Sequence, residues 1–240
     1  LDIRVIMGNP PYSAGQTSAN DNNANVSYAS LDERIRETYA EHSTATNKNS
    51  LYDSYIRAIR WASDRIGDKG VIGFVTNAGF IEGGTADGMR KCLAEEFSNL
   101  YIFHLRGNAR TSGERRRKEK DNVFGQGTRT PIAISILIKN PDSKNIGKIK
   151  FHDIGDYLSQ SQKLDIIAEL KDLKAITATD AWQDIIPDEF NDWINQRDSN
   201  FDNYLSLGDK KKDKTLILFQ EYSTGLQARG DVWFYNFGDT

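Results

Sequence analysis

The feature that most constrains this chain is the tetrapeptide Asn9-Pro10-Pro11-Tyr12, which lies at the end of the apolar run 3–7, after Gly8. Consecutive prolines fix φ and lack backbone N–H groups, so a strand must end there in a stiff turn. Open α/β sheets bind ligands just beyond the carboxyl ends of their strands. The Asn9 amide oxygen and the Pro10 carbonyl can both accept hydrogen bonds from one exocyclic amino group, and the Tyr12 ring offers a flat surface for its heterocycle. A simple strand-ending turn is the alternative interpretation.

Composition indicates a folded protein of one large domain or slightly more. The chain has 240 residues, 38% of them hydrophobic, and a net charge of −3, which excludes a disordered chain. It contains no apolar run near eighteen residues and no signal peptide, so we expect a cytoplasmic protein without membrane contact. Cys92 is the only cysteine, and His42, His104 and His152 lack ligand spacing. No metal site is predicted.

Hydrophobic periodicity predicts strands that alternate with helices after the motif. A long polar segment, 13–50, is expected to form an active-site loop with one short helix. The last two strands follow each other without a helix, so they are predicted to pair antiparallel and end the sheet. The predicted elements are helices over 51–66 and 86–97, and strands over 71–76, 100–105 and 131–139.

The motif resembles that of amino-group methyltransferases that use S-adenosylmethionine, and the element order resembles the second half of an adenine-specific (N6) DNA methyltransferase. The resemblance implies double-stranded DNA as partner and a flipped-out adenine as substrate. It also implies that Asn9, Pro10, Pro11 and Tyr12 are catalytic and that Tyr12 contacts the base.

The same resemblance selects two further aromatic residues. Tyr55 is expected to line the adenine of the cofactor. Phe124, in Asn122-Val123-Phe124, is expected to help hold the flipped base. Ordinary core packing is the alternative for both rings.

Neither glycine cluster fits the main cofactor loop, which needs a strand before it and a helix after it. Gly83-Gly84 follows no strand, and the glycines at 125 and 127 precede a strand instead of opening a helix. The main S-adenosylmethionine loop is therefore expected upstream of Leu1, in a longer polypeptide. The isolated chain is predicted to be inactive.

A narrower resemblance covers most of the chain. Segments 8–13, 50–58 and 60–66 resemble the methyltransferase region of Type ISP restriction–modification enzymes, and 222–225 with 229–237 resemble the entry to their recognition domain. These enzymes join nuclease, ATPase, methyltransferase and recognition domains in one polypeptide. The resemblance implies the upstream methyltransferase half, the ATPase and the nuclease as partners in the same polypeptide.

We therefore predict an α/β fold, the C-terminal half of a Rossmann-like methyltransferase sheet ending in an antiparallel strand pair. The expected domains are a catalytic half (1–142), a mostly helical acidic spacer (143–214) and the start of a target-recognition domain (215–240). Residues 155–209 carry twelve acidic and four basic side chains, so they are less suited to a DNA groove than to a spacer or docking surface.

Positive charge is concentrated in 101–130, which has eight Lys and Arg against three Asp and Glu. Arg115, Arg116, Arg117 and Lys118 are predicted to form a loop that contacts phosphates of the DNA backbone. A solvated loop of mixed charge is the alternative.

Two other functions remain open from the sequence. A protein-glutamine N5-methyltransferase presents an amide nitrogen to the same tetrapeptide. A non-catalytic DNA-binding or structural module could retain the motif without activity.

Overall fold

The structure, a computed structural model, describes residues 3–11, 28–170, 182–198, 200, 203–209 and 216–221. The chain divides into two compact units, Leu1–Gln196 and Arg197–Thr240. All helices and strands in the described ranges lie in the first unit. In the second unit, the described residues form an isolated parallel bridge between Ser206 and Ile217.

The first unit is built on a six-stranded mixed sheet in the order β1-β2-β4-β3-β5-β6. Strand β1 is parallel to β2, and β3 is parallel to β5. Strand β4 runs antiparallel to both β2 and β3, and β6 runs antiparallel to β5. The strands are β1 Val5–Gly8, β2 Gly70–Asn77, β3 Asn99–Arg106, β4 Ile132–Lys139, β5 Lys148–Asp153 and β6 Gln183–Ile185.

The predicted α/β class and the antiparallel pairing of the 100–105 and 131–139 strands are confirmed. The prediction that this pair ends the sheet is wrong, because β5 and β6 extend it beyond residue 142. The region expected to be a mostly helical spacer therefore contributes two strands as well as a helix. The buried side chains of Ile149 and Phe151 explain this extension, since they add apolar surface to the sheet.

Helices cover both faces of the sheet, with α1, α2 and α4 on one face and α6 on the other. Phe74 packs with the first group and Val75 with the second, as expected because successive strand residues point to opposite faces. The α-helices are α1 Ala29–Ile35, α2 Ser54–Arg65, α3 Gly79–Glu82, α4 Asp87–Glu96, α5 Gly113–Glu119 and α6 Gln160–Glu169.

Helix α2 follows from its sequence. Asp53 is its N-cap, and the Asp53 side chain accepts a hydrogen bond from the Tyr55 N–H at 3.4 Å. The spacing of Tyr55, Ile56, Ile59 and Ala62 gives one apolar stripe, and all four side chains are buried. The helix predicted over 51–66 is thereby confirmed, with a short 3₁₀ turn, Asn49–Tyr52, before it.

Arg90 joins distant parts of the first unit. Its buried guanidinium donates to the carbonyls of Phe80 at 3.0 Å and Gly83 at 2.8 Å, on the turn after β2. It also donates to the Asn191 carbonyl at 2.7 Å and pairs with Asp192 at 2.5 Å. These bonds fix the segment near 191–192 against the turn that carries α3.

Strand β1 lies at the edge of the sheet. Among the described residues it pairs with β2 alone. The exposed fractions of Val5 and Met7 are 58% and 80%. None of the helices in the described ranges has both the length and the hydropathy that a bilayer span requires.

Candidate functional site

The motif follows the carboxyl end of β1. Gly8 is the last residue of that strand and lies opposite Phe74 of the parallel strand β2. Asn9 and Pro11, directly after it, are exposed, and Pro10 is half-buried. The described part of the motif is therefore accessible to solvent at the carboxyl end of β1, and parallel strands bind ligands at their carboxyl ends. Tyr12 lies outside the described residues.

Asn122 fixes the segment between β3 and β4. This segment begins at the carboxyl end of β3, on the same side of the sheet as the motif. The Asn122 Nδ2 donates to the carbonyls of Gly107 at 3.2 Å and Thr130 at 2.8 Å, so it bridges the two ends of the segment. Its Oδ1 accepts a hydrogen bond from the Phe124 N–H at 3.0 Å. Gly107 has a φ of +91°, and a Cβ there would lie 2.9 Å from the Asn122 Cα, so the close approach requires glycine.

The two aromatic residues selected from the sequence differ in environment. Phe124 has an exposed fraction of 46%, so its ring is available to a ligand. Tyr55 has an exposed fraction of 4% and packs against Phe80, with 6.4 Å between the ring centroids. Burial raises the pKa of Tyr55. The geometry of Tyr55 is that of a core residue, and its contact with a cofactor stays a prediction.

The basic segment is a helix, so the prediction of a loop is wrong. Residues 113–119 form α5, and three of its cations pair with carboxylates. Arg115 lies 2.9 Å from Glu82, Arg117 lies 3.1 Å from Glu114, and Lys118 lies 3.3 Å from Asp156. The fourth, Arg116, donates to the Lys120 carbonyl.

A β-bulge at the end of β3 directs the chain into this segment. The register with β4 shifts between His104 and Arg106, which makes Leu105 the additional residue. Arg106, with a φ of +57°, donates to Asp153 at 2.6 and 2.8 Å. Burial opposes ionisation of Asp153, but the hydrogen bonds from Arg106 and from the Gly155 N–H, together with the positive charge of Arg106, outweigh it and hold the pKa of that carboxyl below its usual value.

Lys163, on α6, supports the bulge and the end of α5. Its side chain is fully buried, and its Nζ donates to the carbonyls of Leu105 at 2.9 Å, Glu119 at 3.1 Å and Asp121 at 2.7 Å. Burial lowers the pKa of Lys163 to about 8.

Lys163 was not among the residues selected from the sequence, although a signal was present. Lys163, Ile166, Ile167 and Leu170 share the spacing of one helical face. A lysine on an apolar stripe has to find buried acceptors or leave the core, because a buried charge without partners is costly.

Among the described residues, no group of three or more His, Cys, Asp and Glu side chains is arranged to hold a metal ion.

The glycines at 83 and 84 follow α3, and those at 125 and 127 lie in a 3₁₀ turn before β4.

Three of the solved structures that are similar to this chain are 38–51% identical to it. A nuclease-deletion mutant of the Type ISP restriction–modification enzyme LlaGI, in complex with a DNA substrate mimic, is 51% identical over 88% of this chain, with a TM-score of 0.80. The ATP-dependent Type ISP enzyme LlaBIII bound to DNA is 48% identical over 88%, with a TM-score of 0.81. This chain is closely similar to the Type ISP restriction–modification enzymes. The predicted resemblance to that family is confirmed.

The Type ISP relatives are much longer than this chain. It spans 20% of the LlaGI protein and 14% of LlaBIII. The DrdV–DNA complex is a third similar structure, 38% identical over 88% of this chain and 20% of its own, with a TM-score of 0.74. No protein-family model and no curated protein matches the chain.

Proposed function

We propose that this chain is the catalytic half of a DNA methyltransferase that transfers a methyl group from S-adenosylmethionine to N6 of a flipped-out adenine. The observation that carries the proposal is Asn9-Pro10-Pro11 directly after a parallel strand, in a chain 51% identical to a Type ISP restriction–modification enzyme. The similar structures are DNA complexes, which favours DNA over a protein glutamine as the substrate.

Asn9 and Pro10 act through hydrogen bonds, without a strong base. The adenine amine is a poor nucleophile because its lone pair is delocalised into the ring. Acceptors at the Asn9 side chain and the Pro10 carbonyl favour a more pyramidal nitrogen and stabilise the positive charge that develops on methyl transfer. Such bonds strengthen in the transition state and therefore lower the barrier.

The exposed ring of Phe124 stacks on the extruded base, together with Tyr12. Stacking on an aromatic side chain contributes about 1–3 kcal/mol per base, which offsets part of the cost of flipping. Asn122 supports this role, because its three hydrogen bonds fix the backbone on both sides of Phe124.

In this proposal the cofactor site is shared between this chain and the upstream methyltransferase half. The upstream methyltransferase half contributes the main cofactor loop. The Tyr55 ring, at the start of α2, lines the adenine of the cofactor. The ATPase and nuclease belong to the same polypeptide, and 215–240 begins the domain that recognises the DNA sequence.

The test is Asn9→Ala in the complete restriction–modification polypeptide, measured as methyl transfer to DNA. Loss of one transition-state hydrogen bond in a dry site costs about 3–4 kcal/mol, or about 10²–10³-fold in rate, while DNA binding should stay within about threefold. Asn145→Ala is the matched control, because Asn145 is exposed on the loop after β4. Methyl transfer by the Asn9 variant within tenfold of the parent would refute the assignment.

A further inference from the structure

A cavity of about 310 Å³ is lined by Asn122 and Gly125, which precede and follow Phe124 in the sequence. Three cations line it: Arg116 in the last turn of α5, Lys120 directly after that helix, and Arg129 before β4. We call this cavity the cation pocket. It lies on the same segment that presents the Phe124 ring.

The cations of the cation pocket differ from the neighbouring cations in their partners. Arg115, Arg117 and Lys118 each pair with a carboxylate. Within the described ranges, no carboxylate pairs with Arg116, Lys120 or Arg129, and the Arg116 guanidinium donates to a backbone carbonyl. Asp121 is the only carboxylate among the described lining residues. The pocket therefore has an excess of two positive charges, and an anion is its complementary ligand.

The backbone of the cation pocket is held in an unusual conformation. Lys120 has a φ of +45°, which is rare for a residue with a side chain. Lys163 donates to the carbonyls of Glu119 and Asp121, on either side of it. Gln160, which also lines the pocket, donates to the Val123 carbonyl at 2.9 Å. Strained conformations persist where the surroundings fix them, and they cluster at ligand sites.

We propose that the cation pocket binds a phosphate of the DNA backbone beside the base that Phe124 holds. This inference rests on the proposed function and assigns the phosphate to Arg116, Lys120 and Arg129. Arginine can donate two parallel hydrogen bonds to phosphate oxygens, and lysine adds a point charge. The described lining has no aromatic ring, so a base would find no stacking surface inside it. To bind a phosphate, the ion-paired Arg115, Arg117 and Lys118 would first have to lose their carboxylate partners.

The test is the double variant Lys120→Gln, Arg129→Gln in the complete polypeptide, with DNA affinity measured between 50 and 200 mM salt. Both side chains are exposed, and glutamine keeps their polarity while it removes the charge. The slope of log affinity against log salt should fall by about 0.9 for each phosphate that the variant no longer neutralises. Affinity should fall equally for duplexes of unrelated sequence, because phosphates carry no direct sequence information. Arg117→Gln, which removes an exposed cation already paired with Glu114, is the matched control and should leave the slope unchanged.

Two results would overturn the cation pocket as a phosphate site. One is a slope in the double variant equal to that of the parent, and the other is an effect confined to one DNA sequence. Asn9→Ala separates this inference from the function on which it rests. A loss of methyl transfer of about 10²–10³-fold in the Asn9 variant, with an unchanged slope in the double variant, would refute the pocket alone. Methyl transfer by the Asn9→Ala variant within tenfold of the parent would refute the proposed function.

Discussion

Replacing Lys163 with methionine should destabilise the first unit, because the three carbonyls that it contacts would lose their donor. The Leu105 and Glu119 bonds are buried, whereas the Asp121 bond is partly buried, so that carbonyl can turn to water. A buried acceptor without a partner costs about 1–3 kcal/mol. Because the variant leaves two such acceptors without a donor, its free energy of unfolding should be lower by about 2–6 kcal/mol at pH 7.

The difference between parent and variant should also increase with pH. The pKa of Lys163 is lowered from 10.5 to about 8 by burial. Above pH 8 the folded state releases this proton while the unfolded state still binds it, so the stability of the parent rises toward pH 10.5. The slope is at most about 1.4 kcal/mol per pH unit for one group. A methionine side chain cannot titrate, so the gap between parent and variant should widen from pH 8 to 10.5.

Urea denaturation of both chains at pH 7, 8.5 and 10 measures this gap directly, since other titrating groups are common to the two. Lys144→Met is the matched control, because Lys144 is exposed after β4, and it should change the free energy of unfolding by less than about 0.5 kcal/mol. A decrease below about 1 kcal/mol at pH 7 for the Lys163 variant, or a gap that does not widen with pH, would refute the reasoning.

Three further predictions follow from the described contacts. Asp192→Ala should reduce the free energy of unfolding by about 3–5 kcal/mol in urea denaturation, because the buried Arg90 would lose its carboxylate; a decrease below about 1 kcal/mol would contradict this. Phe124→Ala should leave that free energy within about 1 kcal/mol but weaken DNA binding by the stacking energy of about 1–3 kcal/mol. Tyr55→Ala, at a buried position, should instead cost about 3–5 kcal/mol of stability, and an equal effect of both substitutions on unfolding would refute the distinction. Calorimetry of the 240-residue chain with S-adenosylmethionine should detect very weak binding or none, and micromolar binding would mean that this chain forms a cofactor site of its own.

Elements with strong apolar patterns could be predicted from the sequence, as α2 and β4 show. Helix α5 could not, because Gly-Glu-Arg-Arg-Arg-Lys-Glu has no apolar stripe and its side chains make ion pairs with other segments. Strand β5 was missed because its buried residues, Ile149 and Phe151, are only two, and pairing with β3 decides its conformation.

The candidate site also has one part that could be predicted from the sequence and one part that could not. The motif is recognisable because its residue types are rare in that combination. The cation pocket depends on which cations have carboxylate partners, and two of those partners, Glu82 and Asp156, lie far away in the sequence. Glu82, for example, pairs with Arg115, 33 positions later. Spacing along the chain carries no information about such pairs.

The contacts of Arg90 also set an order of events during synthesis. Its partners at 191 and 192 are made 101 and 102 positions later, which at about 5–20 residues per second takes about 5–20 s. During that interval the turn after β2 lacks the bonds from Arg90 to Asn191 and Asp192, and it also lacks the ring of Trp193, which later packs 6.1 Å from Phe80. The turn after β2 is therefore completed late, after nearly the whole first unit has been synthesised.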